Sequence, residues 1–140
     1  MVGASLNDAP TEGVTMDGVE NYLRLNDKYL GEAEALMEKG DFVQASEKFW
    51  GAAAEMVKGV AAKRGIELRA HGEMYRFVAK LKDEMNDPEL ATLFSVAAAL
   101  HQNFYENWLP PEIVAHHGEA VKQLVKKLEA VASRGGDSAF

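Results

Sequence analysis

The segment from Gly40 to Gly65 constrains the fold most, because it has the pattern of a helix that is apolar around most of its circumference. Its apolar residues recur at alternating steps of three and four, which is the spacing of one face of an α-helix. Other apolar residues widen that face, and the positions left for solvent are Gln44, Glu47, Lys48, Glu55, Lys58 and Lys63. A helix with so little polar surface is buried among other helices. The segment therefore predicts the central helix of an all-α protein.

Four other segments also have helical spacing, and none shows the alternation of a half-buried strand. Gly40 readily takes the left-handed backbone conformation that ends a helix, so it is expected to cap the C-terminus of the first helix. Asp41 can cap the N-terminus of the second. Asp87 and Pro88 have the composition of a helix start. Helices are predicted over about 17–39, 41–65, 72–85, 88–108 and 110–133. Since the joints are short, we expect a compact up-and-down bundle of about five helices.

A chain of 140 residues has the typical length of a single domain. Residues 1–16 and 134–140 are poor in apolar side chains, so we predict disordered tails around a bundle domain at 17–133. The absence of cysteine excludes disulfides and thiolate zinc sites, and it favours a cytoplasmic location. No apolar run reaches the ~18 residues of a membrane span, and the start of the chain lacks the pattern of a secretory signal. We expect no membrane partner.

The net charge of −7 argues against a surface that coats nucleic acids in general. The charge is distributed unevenly, however, because residues 1–47 carry a net −7 and residues 58–82 a net +5. The positive stretch has two interpretations. It is either a solvated face that pairs with acidic neighbours, or a local patch for a phosphate or an acidic partner.

Arg64, Arg69 and His71 lie in the middle of this positive stretch, at the joint between the second and third predicted helices. Arginine and histidine close together are typical of ribonuclease chemistry, in which histidine transfers protons and arginine stabilises the phosphorane. A phosphate could also bind the free N–H groups of a helix that starts near His71.

The densest polar and aromatic cluster lies at residues 100–107. It could bind a small polar ligand or supply a general acid–base pair. In the structural interpretation, His101 and Phe104 face inward, and Tyr105 bonds to a helix end or to a second subunit. The candidate ligand-binding residues are therefore Arg64, Arg69, His71, His101 and Tyr105.

The two histidines on apolar stripes are candidate metal ligands. His101 and His117 flank the proline turn at 110–111 and could converge, with Glu106 or Glu119 completing a site. No HxxxH, ExxH or HExxH spacing supports this arrangement, so a histidine bonded to a neighbour is favoured. We predict no metal site, no cofactor and no catalytic motif.

Four segments and a proline turn followed by a last helix form a recognisable combination between about residues 19 and 131. The segments are Tyr22–Met37, Lys39–Ala45, Ala52–Ala54 and Ala98–Glu106. This combination resembles the HEPN-like helical proteins and, among them, the archaeal PaREP-type family of uncharacterised proteins. It implies a five-helix bundle that is usually paired as a dimer. HEPN relatives include nucleotidyltransferase partners, nucleotide-binding modules and ribonucleases.

The ribonuclease members of that group carry an arginine, four to six residues and then a histidine within a late helix. Only Arg64 and His71 match even the loosest form, and they lie at a different joint, so no catalytic residue is carried over. We therefore predict a dimeric binding module for a nucleotide-like ligand or a separately encoded nucleotidyltransferase-type partner. The alternative is a metal-independent ribonuclease, whose arginine would be Arg64 or Arg69. Its histidine would be His71 or His101.

Overall fold

Within residues 16–136, five α-helices follow one another, joined by turns of two to seven residues. The computed structural model describes residues 16–136, with side chains over 18–134. The helices are α1 (Met16–Lys39), α2 (Phe42–Lys63), α3 (His71–Met85), α4 (Glu89–Glu106) and α5 (Pro111–Gly136). The predicted all-α bundle is confirmed. Of the tails predicted at 1–16 and 134–140, residues 1–15 and 137–140 lie outside the described residues, while Met16 and residues 134–136 belong to helices. No helix within 16–136 is both long and apolar enough to cross a bilayer.

The helix ends follow the cap chemistry of the sequence. Gly40 takes the left-handed conformation at φ +80°, where glycine is favoured, and it reverses the chain between α1 and α2. Asp41 then caps α2, since its Oδ1 accepts a hydrogen bond of 3.2 Å from the Gln44 backbone N–H. At the start of α4, Asp87 Oδ1 accepts a bond of 3.1 Å from the Glu89 N–H.

Three predicted helix ends differ from those of the structure. The second helix stops at Lys63 rather than near residue 65, because Gly65 is left-handed at φ +75°. The fourth stops at Glu106 rather than 108, because Asn107 is left-handed at φ 53°. The fifth continues to Gly136, beyond the predicted end at 133.

The second helix lies at the centre of the bundle, as its apolar pattern predicts. It contacts all four other helices, and 13 of its 22 residues are buried. Small residues allow the close approaches. A Cβ placed on Gly118 of α5 would lie 2.7 Å from the Phe49 ring, so the two helices meet there without space for a methyl group.

A buried amide holds the turn between α4 and α5. Asn103 is 1 % exposed, and its Nδ2 donates to Ser46 Oγ on α2 at 3.0 Å. Its Oδ1 accepts the backbone N–H groups of Trp108 and Leu109 at 2.9 and 2.8 Å. Trp108 lies beyond the end of α4, and its side chain is 58 % exposed. Within the last turn of α4, Asn103 is buried and Phe104 only half-buried, so the expectation that Phe104 faces inward holds only in part.

Candidate functional site

A cleft of about 360 Å³ opens between α1, the middle of α2 and the start of α3. The aromatic and ionisable side chains in its lining are Tyr29, Glu47, Lys48, Trp50, Glu55, Lys58, Arg69 and His71. A volume of this size lies within the ~300–1,000 Å³ typical of small-molecule sites. Because it combines aromatic rings with cationic side chains, we take this cleft as the candidate binding site.

The start of α3 is fixed beside the cleft by a carboxylate. Glu73 Oε1 accepts backbone N–H groups from Arg69 at 2.5 Å and from Ala70 at 3.1 Å. These bonds favour the ionised form, so the Arg69 N–H first, and then the Ala70 N–H, lower the pKa of Glu73. The Glu73 carboxylate thus holds the backbone of the loop before α3. The fixed loop places His71 and the Arg69 side chain at the cleft.

Imidazole and aromatic rings form a continuous array along one side of the cleft. The His71 ring stands edge-on to Trp50, with centroids 5.3 Å apart, and edge-on to His101 at 5.2 Å. The His101 ring is also 5.4 Å from Trp50 and 5.3 Å from Tyr105. Edge-to-face contacts at these distances are the favoured geometry for such rings. The array joins residues from α2, α3 and α4.

Glu47 orients one of the two imidazoles. Its Oε1 lies 2.8 Å from His101 Nδ1. An ionised carboxylate only accepts hydrogen bonds, so Nδ1 carries the hydrogen and Nε2 is left as the acceptor of the neutral ring. The His71 imidazole is more exposed and lies beside it, so the site holds two proton-transfer groups in contact.

Cationic side chains surround the cleft. Lys48 pairs with Glu32 at 2.8 Å and lies 5.0 Å above the Tyr29 ring, and its hydrogen bond is the main cause that lowers the pKa of Glu32. Lys58 pairs with Glu55 at 3.5 Å within α2.

The third cation is more open to solvent. Arg69 pairs with Glu67 at 3.0 Å, and its side chain is 75 % exposed. Surface pairs of this kind are weak, typically about 0–1 kcal/mol. An anionic ligand can therefore recruit these cations without a large loss of internal pairing.

The structure brings together four of the five predicted site residues. Arg69 and His71 line the cleft, while His101 and Tyr105 continue its ring array. Arg64 lies elsewhere. Its guanidinium pairs with Glu84 at 2.9 Å and sits 5.8 Å from the centre of the Phe77 ring.

Sequence reasoning missed two central residues of this site. The helical pattern predicts Glu47 on the solvent face of the second helix, and Trp50 is not among the candidate ligand-binding residues. The Glu47–His101 contact joins positions 54 residues apart, so no local spacing could reveal it.

The other histidine on an apolar stripe occupies a different environment. His117 is half-buried, and its buried Nδ1 has no hydrogen-bond partner among the described residues. Burial, and to a lesser extent the neighbouring His116, lower the pKa of His117. Within residues 18–134, no three His, Asp or Glu side chains are arranged to hold a metal ion.

Comparisons with known proteins agree with this fold. No curated protein matches the chain. A crystal structure of a protein from Sulfolobus solfataricus is similar, with 27 % sequence identity and a TM-score of 0.67. The match covers 76 % of this chain and 94 % of that one. The model of the archaeal PaREP1/PaREP8 family matches residues 21–125, which run from α1 into α5. The predicted PaREP resemblance is thus confirmed, and this chain belongs to the archaeal PaREP1/PaREP8 family.

Proposed function

We propose that this protein is a binding module whose cleft takes a nucleotide-like ligand, with a planar ring system and an anionic group. The observation that carries the proposal is the pairing, in one cleft, of an aromatic wall with a cationic rim. The wall consists of Tyr29, Trp50 and His71. Flat heteroaromatic rings pack well against such side chains, whatever the base.

The anionic group of the ligand has suitable partners at the start of α3. Arg69 presents a planar fork of donors that fits phosphate, and His71 adds a donor at the same end of the cleft. Lys58 contributes a further positive charge from α2. Glu67 pairs with the Arg69 side chain at 3.0 Å, and this exposed pair is weak enough for a phosphate to replace it.

Trp50 provides the readout for a binding test. The chain has two tryptophans, so a Trp108→Phe variant leaves Trp50 as the only indole. Titration with adenosine monophosphate should change its fluorescence saturably, and adenosine or inorganic phosphate alone should bind more weakly. Arg69→Gln should weaken adenosine monophosphate about tenfold or more, since hydrogen bonds to charged groups contribute about 1.5–3 kcal/mol.

Arg24→Gln is the matched control, because Arg24 lies on α1 outside the cleft and bonds to Asn21. It should leave the affinity unchanged. Absence of saturable binding at millimolar nucleotide, or an equal loss in the Arg24 variant, would refute the proposal.

We also propose that the protein is a dimer that pairs through the aromatic surface at the α4–α5 turn. Tyr105 is 69 % exposed, Trp108 58 % and Ile113 36 %, and the Asn103 bonds hold this turn in place. Exposed apolar patches of this kind often mark interaction sites. Sedimentation at micromolar concentration should show a dimer that Trp108→Ser dissociates. If the wild-type protein is a monomer, the dimer proposal is refuted, and a separately encoded partner becomes the candidate that binds this surface.

A specific observation favours a second candidate, the metal-independent ribonuclease. His71 and His101 are in contact, and Arg69 lies at the same cleft. His101 Nε2 would accept the proton of an RNA 2′-hydroxyl as its oxygen bonds to phosphorus. His71 would protonate the departing 5′-oxygen, and Arg69 would stabilise the charged phosphorane. The resemblance to HEPN-like proteins, which would fit this chemistry, stays a prediction.

Cleavage of a labelled RNA in the presence of a metal chelator tests this candidate. Activity in the wild type should be lost in His101→Ala and His71→Ala. It should fall less in Glu47→Gln, which keeps a hydrogen-bond acceptor for Nδ1 but not the charge. If the wild-type protein leaves the RNA intact, the ribonuclease hypothesis is refuted and the proposed binding module remains.

A further inference from the structure

A second concave site lies where α1 and α5 flank the second half of α2, and we call it the α1–α5 groove. Its volume is about 480 Å³, which is also in the range of small-molecule sites. The groove is lined by Leu23, Asn26 and Asp27 of α1, Met56 and Lys63 of α2, and Glu129, Ala132 and Ser133 of α5. None of these residues lines the cleft described above, so the groove is a separate site.

A buried amide leaves a hydrogen-bond acceptor for this groove. Asn26 is 2 % exposed, and its Nδ2 donates to the Ala52 carbonyl of α2 at 2.8 Å. A carbonyl oxygen only accepts hydrogen bonds, so this contact fixes which way round the amide lies. The Asn26 Oδ1 accepts no hydrogen bond from the described residues, whereas most buried polar atoms in proteins have a partner. Since Asn26 lines the groove, its Oδ1 is available to a donor bound there.

Two carboxylates flank the groove, one from each of its outer helices. Asp27 of α1 and Glu129 of α5 are exposed, and neither side chain has an ion pair or hydrogen bond within the part of the chain that the structure describes. Lys63 also lines the groove, but its Nζ donates to the Ala132 carbonyl at 3.2 Å. Two carboxylates and one ammonium group leave a net negative lining, which favours a positively charged ligand.

Apolar side chains complete the lining and distinguish an organic cation from a metal ion. Leu23 is half-buried and Met56 is 2 % exposed, so an alkyl chain would find apolar surface in the groove. A metal ion would leave that surface uncovered, and no cluster of three imidazole or carboxylate side chains within residues 18–134 could hold one. We propose that the α1–α5 groove binds an alkyl diamine, with one ammonium group at Asn26 and Asp27 and the other at Glu129.

Isothermal titration calorimetry with 1,4-diaminobutane tests this inference. The wild-type protein should bind one diamine saturably. Asp27→Asn and Glu129→Gln should each weaken binding about fivefold, the upper end for an exposed ion pair. A diamine with both nitrogens fully methylated keeps its charges but loses its N–H donors, so it should bind about tenfold more weakly. Lys63→Gln removes a like charge and should tighten the binding of the diamine.

Glu38→Gln is the matched control, because Glu38 is an exposed carboxylate of α1 outside the groove and its loss changes the net charge equally. This variant should keep the wild-type affinity. Equal weakening in it would show that the diamine follows the net charge of the protein, which would overturn the inference. Absence of saturable binding, equally tight binding of the methylated diamine, or weaker binding by Lys63→Gln would overturn it as well. None of these results bears on the proposed function, since the groove and the cleft share no residue.

Discussion

Replacement of Gly118 by alanine tests the closest helix contact of the fold. An added Cβ would lie 2.7 Å from both Cε2 and Cζ of Phe49, and 3.2 Å from its Cδ2. Phe49 is 2 % exposed and belongs to the core, so its ring has no solvent into which to move. Either the ring or the two helix backbones must shift.

Two opposing terms set the size of the effect. Alanine is favoured over glycine inside a helix by about 1 kcal/mol. Overpacking a filled core costs about 1–3 kcal/mol, and a rigid ring places this site in the upper part of that range. The net loss in free energy of unfolding should be about 1–2 kcal/mol. For a domain of this length, the midpoint of thermal unfolding should fall by about 3–8 °C.

Circular dichroism during urea and thermal unfolding measures this change, and Gly31→Ala is the control. Gly31 is exposed on α1, and a Cβ there meets nothing within 4 Å, so alanine should stabilise the protein by about 0.5–1 kcal/mol. Phe49→Leu shortens the opposing side chain and should relieve the clash. The double variant should then be more stable than the sum of the two single changes predicts. A Gly118→Ala protein as stable as the wild type, or strict additivity, would refute the reasoning.

Three further changes probe polar groups. Asn103→Ala leaves two N–H groups of the α4–α5 turn without an acceptor and should cost about 2–4 kcal/mol in urea unfolding. Because burial lowers the pKa of His117 in the folded state, its contribution to stability is complete above the usual imidazole pKa and declines as the pH falls through that value. His117→Phe should flatten this decline in acid titrations of the thermal midpoint, whereas exposed His116→Gln should not. Lys127, whose bond is the main cause that lowers the pKa of Asp87, stabilises the fold above the usual carboxyl pKa. Lys127→Met should lose stability at neutral pH and match the wild type in acid, where Asp87 is protonated.

The fold could be predicted from the sequence because the signals that define it are local. The apolar breadth of α2 predicts a helix with neighbours on several sides, which the structure confirms. Gly40 and Asp41 mark the α1–α2 reversal through backbone and cap chemistry that depends on adjacent residues alone. The end of α4 was missed because an asparagine in the left-handed conformation, here Asn107, leaves only a weak signal.

The site could be predicted only in part, because its contacts join distant elements. His71, His101 and Tyr105 were chosen for their chemistry, and their contact arises when α3 and α4 pack beside α2. The roles of Arg64 and Arg69 depend on the path of residues 64–70. This loop turns one arginine toward Glu84 and the other toward the cleft, and nothing in the composition distinguishes them.

The position of α1 has a consequence for motion. This helix makes nearly all of its helix contacts with α2 and is also joined to α5 by the ion pair of Glu34 with Lys122. A helix that packs mainly on one neighbour, with one surface ion pair to another, can detach in a sub-global opening that leaves the rest of the core packed. Since Tyr29 belongs to α1, such an opening would remove one wall of the cleft. A ligand held there should therefore slow amide hydrogen exchange throughout α1, including in turns that it never touches.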